Sequence, residues 1–367
     1  MLMNFILPSL LLLSFSVSQA SVDLHMHLTM DVPLSPFYSG SVNDKASATS
    51  WSSRLKSRID FEKLEESQLQ LIVAAIYINP AWGDVEKQFN AQMDSLTKFT
   101  SLHPQWTIIK EPAEATAELA KGKKVILLSL EGAWFFHDQH LFTQLLQKYP
   151  IRIVTPLHFS DFSKNIGRPA KQKGLFAPIQ AMLDFFMPYK YPALSPEGEQ
   201  LFKYLVDNKI WIDLSHSSEP VIEYFLQTRP KGYPILMTHT VLKKYYGSDR
   251  GVDDKILALV AQEGGVLGIL PSTEMLSNTP TQQGDCINGN PFLVQWNEVV
   301  EKAQLKNIYL GSDLNSPIPG LPPTNSHEKC PILPEGLRTA ADLKTLGNIQ
   351  DTDATTNFIN QWQRVRN

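Results

Sequence analysis

The sequence predicts an α/β fold, a (β/α)8 TIM-like barrel with loop insertions over its C-terminal mouth, on three observations. Eight short apolar runs alternate with longer amphipathic stretches along most of the 367 residues. The runs are continuous rather than alternating, which suits strands buried on both faces of a parallel sheet. Polar residues suited to catalysis recur at the C-terminal ends of the runs, the face where such barrels carry their sites. A doubly wound open sheet is the alternative for the same alternation.

The runs cover 22–27, 71–78, 125–130, 151–157, 210–214, 235–237, 265–270 and 308–310. Amphipathic stretches at 84–101, 141–148, 253–262 and 294–304 lie between them. Ser195-Pro196-Glu197-Gly198-Glu199 opens a further helix, with a capping Ser and Pro at the first helical position. The segments 31–57 and 161–194 are longer, irregular and rich in Pro, Ser or aromatics, and read as loops over one barrel mouth.

Composition narrows the function. There are 33 Lys+Arg against 37 Asp+Glu, and charged residues make up 19% against 43% hydrophobic. Such a chain is too apolar to be disordered. It has no basic surplus for nucleic acid.

Residues 1–20 carry an apolar run from Phe5 to Val17, broken by Pro8 and a few serines, and end Ser18-Gln19-Ala20. The run is shorter than the ~20 apolar residues of a membrane span. It reads as a secretory signal peptide cleaved near Ala20, leaving 21–367 as one catalytic barrel domain, secreted or periplasmic. The segment lacks Lys or Arg before its apolar run, so an uncleaved anchor is the alternative. No later stretch is apolar enough to cross a bilayer. Export would place Cys286 and Cys330 where they can pair.

The strand ends carry His25 and His27, Glu131, His158, His216, His239 and Asp313. Five of the nine histidines fall there, too many for scatter, and a barrel gathers those ends into one ring. His25 and His27 are two apart on a strand and point to one face. Four imidazoles (His25, His27, His216, His239) and Glu131 exceed the three ligands of a single catalytic zinc. They suit two metal ions sharing Glu131 and a hydroxide. Asp313 is placed to relay the proton and His158 to stabilise an oxyanion.

In order along the chain, Ser129-Leu130-Glu131-Gly132, Pro156-Leu157-His158-Phe159-Ser160, Ile212-Asp213-Leu214-Ser215-His216-Ser217, Thr238-His239-Thr240 and Gly311-Ser312-Asp313 resemble the membrane (renal) dipeptidase family of zinc metallopeptidases, in the amidohydrolase superfamily. The resemblance implies a binuclear zinc barrel that hydrolyses dipeptides. It implies that His25, His27 and Glu131 hold one ion, and Glu131, His216 and His239 the other. His158 would polarise the scissile carbonyl, and Asp313 would act as general base and then acid. Arg250, eleven residues after His239, would bind the substrate carboxylate, unless it is a solvated loop Arg beside Asp249 and Asp253. Related enzymes are often homodimers. The chain departs from the family in His27 for the usual Asp, in Leu314-Asn315-Ser316 after Asp313, and in Trp134. These departures bear on substrate choice more than on reaction type. Two other functions fit the same residues: hydrolysis of other small amides, lactams or esters, and a non-catalytic metal-binding barrel that binds peptides.

Overall fold

The computed structural model describes residues 21–159, 165–186, 188–282, 285–303, 307–323, 330–347 and 349–367. The expected signal peptide at 1–20 lies outside them, as does Ser160. Nine parallel strands form one sheet among the described residues: β1 (Ser21–Met26), β2 (Leu69–Tyr77), β3 (Trp106–Ile109), β4 (Lys124–Glu131), β5 (Ile151–Thr155), β6 (Trp211–Ile212), β7 (Leu236–Thr240), β8 (Val266–Ile269) and β9 (Ile308–Leu310). Their order is β6-β5-β4-β2-β1-β9-β8-β7. The two ends of this path meet, because Leu214 N donates to Leu236 O at 2.9 Å and Asp213 bridges Leu236. The eight apolar runs thus become the eight staves of a nearly closed barrel. The open-sheet alternative is set aside by that contact.

Burial explains the continuous pattern. Every residue of β1, β7, β8 and β9 is buried, as are Val125 to Glu131 of β4, since helices cover one face and the barrel interior the other. The helices start where capping chemistry places them. Asp84 caps Val85–Leu102 through Lys87 N at 2.9 Å, and Asp253 caps Asp254–Glu263 through Ile256 N at 2.8 Å. Ser195 caps Pro196–Asp207 through Gly198 N at 3.0 Å.

Two expectations are corrected. The strand β3 was not anticipated: it is four residues long, half-buried, and pairs only with β4, off the barrel path. The segment 161–194 is not wholly irregular, because Ala177–Phe186 forms a helix. Gln180 and Leu183 dock its inner side, while Ile179, Met182, Phe185 and Phe186 face outward. An exposed face this apolar hides the usual two-sided signal of a surface helix. Cys286 and Cys330 are joined by a disulfide, with Cα atoms 5.3 Å apart. Among the described residues no helix is long and apolar enough to cross a membrane.

Candidate active site

The strand ends bring the expected residues to one buried centre. Asp313 N donates to His25 O at 2.8 Å and His27 N to Leu314 O at 3.0 Å, so the last strand end is laced to the first. Gly311 lets the last strand end also come close to β7, because a Cβ there would stand 2.0 Å from Thr238 O. Gly132, at φ +82, turns the chain away directly after Glu131. His216 and Asp313 hold φ of +62 and +49, a left-handed conformation that costs a non-glycine residue about 1–3 kcal/mol. The sheet and its cross-strand bonds hold both in place.

Glu131 is the hub. Its Oε1 lies 3.4 Å from His25 Nε2, 3.4 Å from His216 Nε2 and 3.7 Å from His239 Nε2. Its Oε2 lies 3.3 Å from His27 Nε2. His25 and His27 face each other at 3.3 Å, His216 and His239 at 2.9 Å, all through Nε2. Asp313 Oδ1 is 3.2 Å from His27 Nε2 and has no hydrogen-bond partner. His158 stacks obliquely on His216, ring centres 4.5 Å apart.

A hydroxyl network behind the rings fixes what they present. Asp213 accepts from Ser215 N, Ser215 Oγ, Thr238 N and Thr155 Oγ1 at 2.7–3.0 Å. Thr238 Oγ1 lies 2.6 Å from Asp213 Oδ2 and donates its single proton there. It can then only accept, from His239 Nδ1 at 2.9 Å and His25 Nδ1 at 3.3 Å. With hydrogens on Nδ1, both rings aim bare Nε2 lone pairs at a carboxylate oxygen. Such an arrangement repels unless a positive charge sits among them. Imidazole nitrogens and carboxylate oxygens in three groups, His25–Glu131–His239, His25–His27–Asp313 and Glu131–His158–His216, each within 4.8 Å, fit a metal cation.

Ionisation without metal follows the same logic. Burial pushes the His25 imidazole down, but Glu131 outweighs it, with help from Asp313 and Asp213, and raises it to about 9. Burial also opposes ionisation of Glu131, yet the charge of His25 and hydrogen bonds from His216 and His25 hold it well below the usual carboxylate range. Here a proton on His25 takes the place a cation would fill. Burial lowers His158 to about 4. Burial, then the nearby Arg250 for His216 and His25 for His239, lowers those two well below the ordinary imidazole range.

This gives a pH prediction for metal-free protein. Between pH 6.5 and 4 the unfolded chain binds protons that native His158, His216 and His239 refuse, so stability falls as pH falls. Asp23 and Asp31, both raised to about 6 by burial, oppose this with two protons against three. Above pH 6.5, stability falls as His25 loses its proton through about 9. Each unbalanced proton contributes at most ~1.4 kcal/mol per pH unit. Urea melts of chelated protein are expected to show a maximum near pH 6.5, with a shallower acid limb in His158→Asn. A maximum at pH 8.5 would contradict the assignment.

Over this centre lies a cavity of about 240 Å3, lined by His27, Glu131, His158, His216, Arg250 and Asp313 on its polar side. Arg250 is 4% exposed, which removes the solvated-loop reading. Its Nη1 donates to His239 O at 2.9 Å, Nη2 lies 3.4 Å from His216 Nε2, and Nε has no partner. Sequence reasoning gave Asp213 and Thr238 no role although both stand inside the motifs around His216 and His239. Their signal was an Asp and a Thr placed directly beside those histidines.

No curated protein matches the sequence significantly. Solved structures do match in fold. Dipeptidase AC, a metallopeptidase of family M19, shares 16% identity over 95% of this chain and 99% of its own, with a TM-score of 0.64. A metallopeptidase from Rhodobacter sphaeroides, liganded with a phosphinate mimic of the dipeptide L-Ala-D-Ala, shares 15% over 94% and 99%, at 0.63. The probable dipeptidase PvdM from Pseudomonas aeruginosa shares 14% over 95% and 96%, at 0.67. The sequence profile described as membrane dipeptidase, peptidase family M19, matches residues 11–313, a span that takes in every strand end from His25 to Asp313. The chain therefore belongs to the membrane dipeptidase family and is a metal-dependent dipeptidase.

Proposed function

We propose that the protein is an exported dipeptidase that works with two zinc ions, its 21–367 barrel being one catalytic domain behind a cleaved signal peptide. The observation that carries the site assignment is the convergence of four Nε2 atoms on Glu131, with two of the rings pinned from behind by Thr238. His25, His27 and Glu131 hold one ion; Glu131, His216 and His239 hold the other. When bound, the metal supplies Lewis acidity and a water acidified toward neutrality.

The chain's own residues do the rest. Arg250 receives the substrate's terminal carboxylate, which its planar fork can bind through two hydrogen bonds. That anchor lays the scissile amide across Glu131. His158, neutral at physiological pH because burial lowers it to about 4, donates a hydrogen bond to the carbonyl oxygen as charge develops there. Asp313 Oδ1, unpartnered and beside His27, takes the proton of the attacking water and returns it to the departing amine.

The test pairs metal analysis of purified mature protein with hydrolysis of L,L- and L,D-dipeptides, with and without chelator. Two zinc ions per chain and chelator-sensitive cleavage are expected; a metal-replete protein that cleaves no dipeptide would refute the reading. Arg250→Ala is expected to raise KM for free dipeptides by about 10- to 100-fold, as loss of a charge-assisted hydrogen bond does, yet to spare dipeptide amides. Equal losses on both would remove Arg250 from carboxylate binding.

A further inference from the structure

One wall of the cavity is tied to the loop that carries Arg250. Lys171 N donates to Asp249 Oδ1 at 2.7 Å, Ser248 Oγ donates to Lys171 O, and Lys173 N donates to Tyr246 Oη at 2.8 Å. That segment runs directly into the turn Gly174–Phe176, so Phe176 lines the cavity on its Arg250 side. Met275 joins it there. A Cβ on Gly174 would stand 2.1 Å from Glu274 Oε1, so the helix Thr273–Leu276 abuts the same turn. Phe159 completes the wall. Its ring centre is 4.9 Å from that of Phe176, 4.4 Å from that of His158 and 6.4 Å from that of His216, whose Nε2 lies 3.4 Å from Arg250 Nη2.

Met30, Leu34 and Tyr77 line the far side. Tyr77 ends β2, which lies four staves from β7 in either direction round the closed order, across from the loop that carries Arg250. Met30 and Leu34 follow the neighbouring β1. The two ends of a bound dipeptide therefore meet different walls. Among the described residues that line this cavity, the Asp, Glu and Arg side chains are Glu131, Arg250 and Asp313, and all three belong to the centre. Lys173 and Glu274, sequence neighbours of the apolar wall, line a separate cavity, where Glu274 pairs with Arg54 at 3.4 Å.

We propose that Phe159, Phe176 and Met275 form the pocket for the side chain of a dipeptide's C-terminal residue, and that the preferred substrates carry a bulky apolar residue there. The inference rests on the reading of the site as an amide hydrolase with Arg250 at the carboxylate. The Cα of the C-terminal residue is one bond from the anchored carboxylate and one bond from the scissile nitrogen. Its side chain therefore leaves between Arg250 and His158, the side on which the two phenylalanine rings and the methionine stand. Burial of an apolar side chain against them is favourable. A charged side chain would lose its hydration there and find no partner on the wall.

The experiment measures kcat/KM for Ala-Gly, Ala-Leu and Ala-Asp, with the C-terminal residue in each chirality, and for Leu-Gly, in metal-loaded wild type, Phe176→Ala and Met275→Ala. In wild type kcat/KM is expected to rise about tenfold or more from Ala-Gly to the better Ala-Leu isomer, the scale of added apolar contact in a pocket, and Ala-Asp is expected to fall below Ala-Leu. A shift of the Ala-Leu to Ala-Gly ratio toward one in either variant, with the Leu-Gly to Ala-Gly ratio unmoved, supports the pocket. Each ratio divides out the amount of active enzyme, so a partly folded variant does not mimic the result. Cleavage with an Ala-Leu to Ala-Gly ratio near one in wild type would overturn the inference and leave the dipeptidase reading intact. So would a ratio that neither variant moves, or variants that move the Leu-Gly ratio instead. If nothing is cleaved, the dipeptidase reading fails separately. Calorimetric titration of wild type and Phe176→Ala with Ala-Leu and Ala-Gly then decides: tighter binding of Ala-Leu that the variant loses supports the pocket, and equal affinities or no binding sink it.

Discussion

Glu131→Gln is expected to abolish dipeptide hydrolysis and to strip the protein of metal. The glutamine has nearly the same shape, so the barrel should fold. What changes is the charge at the hub of four imidazoles, each within 3.3–3.7 Å of the carboxylate. An amide offers one neutral acceptor and turns an NH2 group toward Nε2 atoms that can no longer share an anion. Loss of a supporting outer group costs metal sites ~10–100-fold in affinity or activity, and the loss of a shared ligand should exceed that. The check is metal content by elemental analysis beside turnover. A variant with full metal content and normal rate would remove Glu131 from the centre. The variant should also return His25 toward its ordinary range, because Glu131 is what lifts it against burial.

Asp313→Asn should lower kcat by ~10²–10⁴-fold, the usual share of general acid–base catalysis, with metal content nearly intact. Asp313 borders the imidazole hub on its His27 side, with Oδ1 3.2 Å from His27 Nε2. Its side chain is 13% exposed against 4% for Glu131, and its Oδ1 is 3.9 Å from His25 Nε2. Its left-handed backbone, bonded through its N–H to His25 O, aims the carboxylate at the cavity. It also falls within 4.8 Å of His25 and His27 as a candidate metal group, so the experiment discriminates. Preserved metal with lost turnover identifies a proton carrier. Halved metal would make Asp313 a ligand that offsets the charge missing at His27.

Much of this was legible in the sequence because it is local. A strand buried on both faces needs a continuous apolar run, so eight runs give eight staves. The side chain at a strand's end points by simple alternation, so His25 and His27 share a face whatever the rest of the chain does. Helix starts were readable at Asp84, Ser195 and Asp253, since the cap and its helix are neighbours in sequence. An oxidising compartment permits Cys286 to pair with Cys330, but only the fold brings the two together, because the distance between two loops is not a local property.

The barrel, the residue types at its mouth and their order are already written in the order of the amino acids. Folding buries Arg250 against His239 and His216, and draws one threonine proton to Asp213, which sets how His25 and His239 present their nitrogens. It alone placed the helix Ala177–Phe186 beside the centre, with its apolar side outward. The difference is one of range. Periodicity and capping depend on atoms a few residues apart, whereas a hydrogen-bond network or a cavity wall depends on segments far apart in the chain that meet only when the sheet closes.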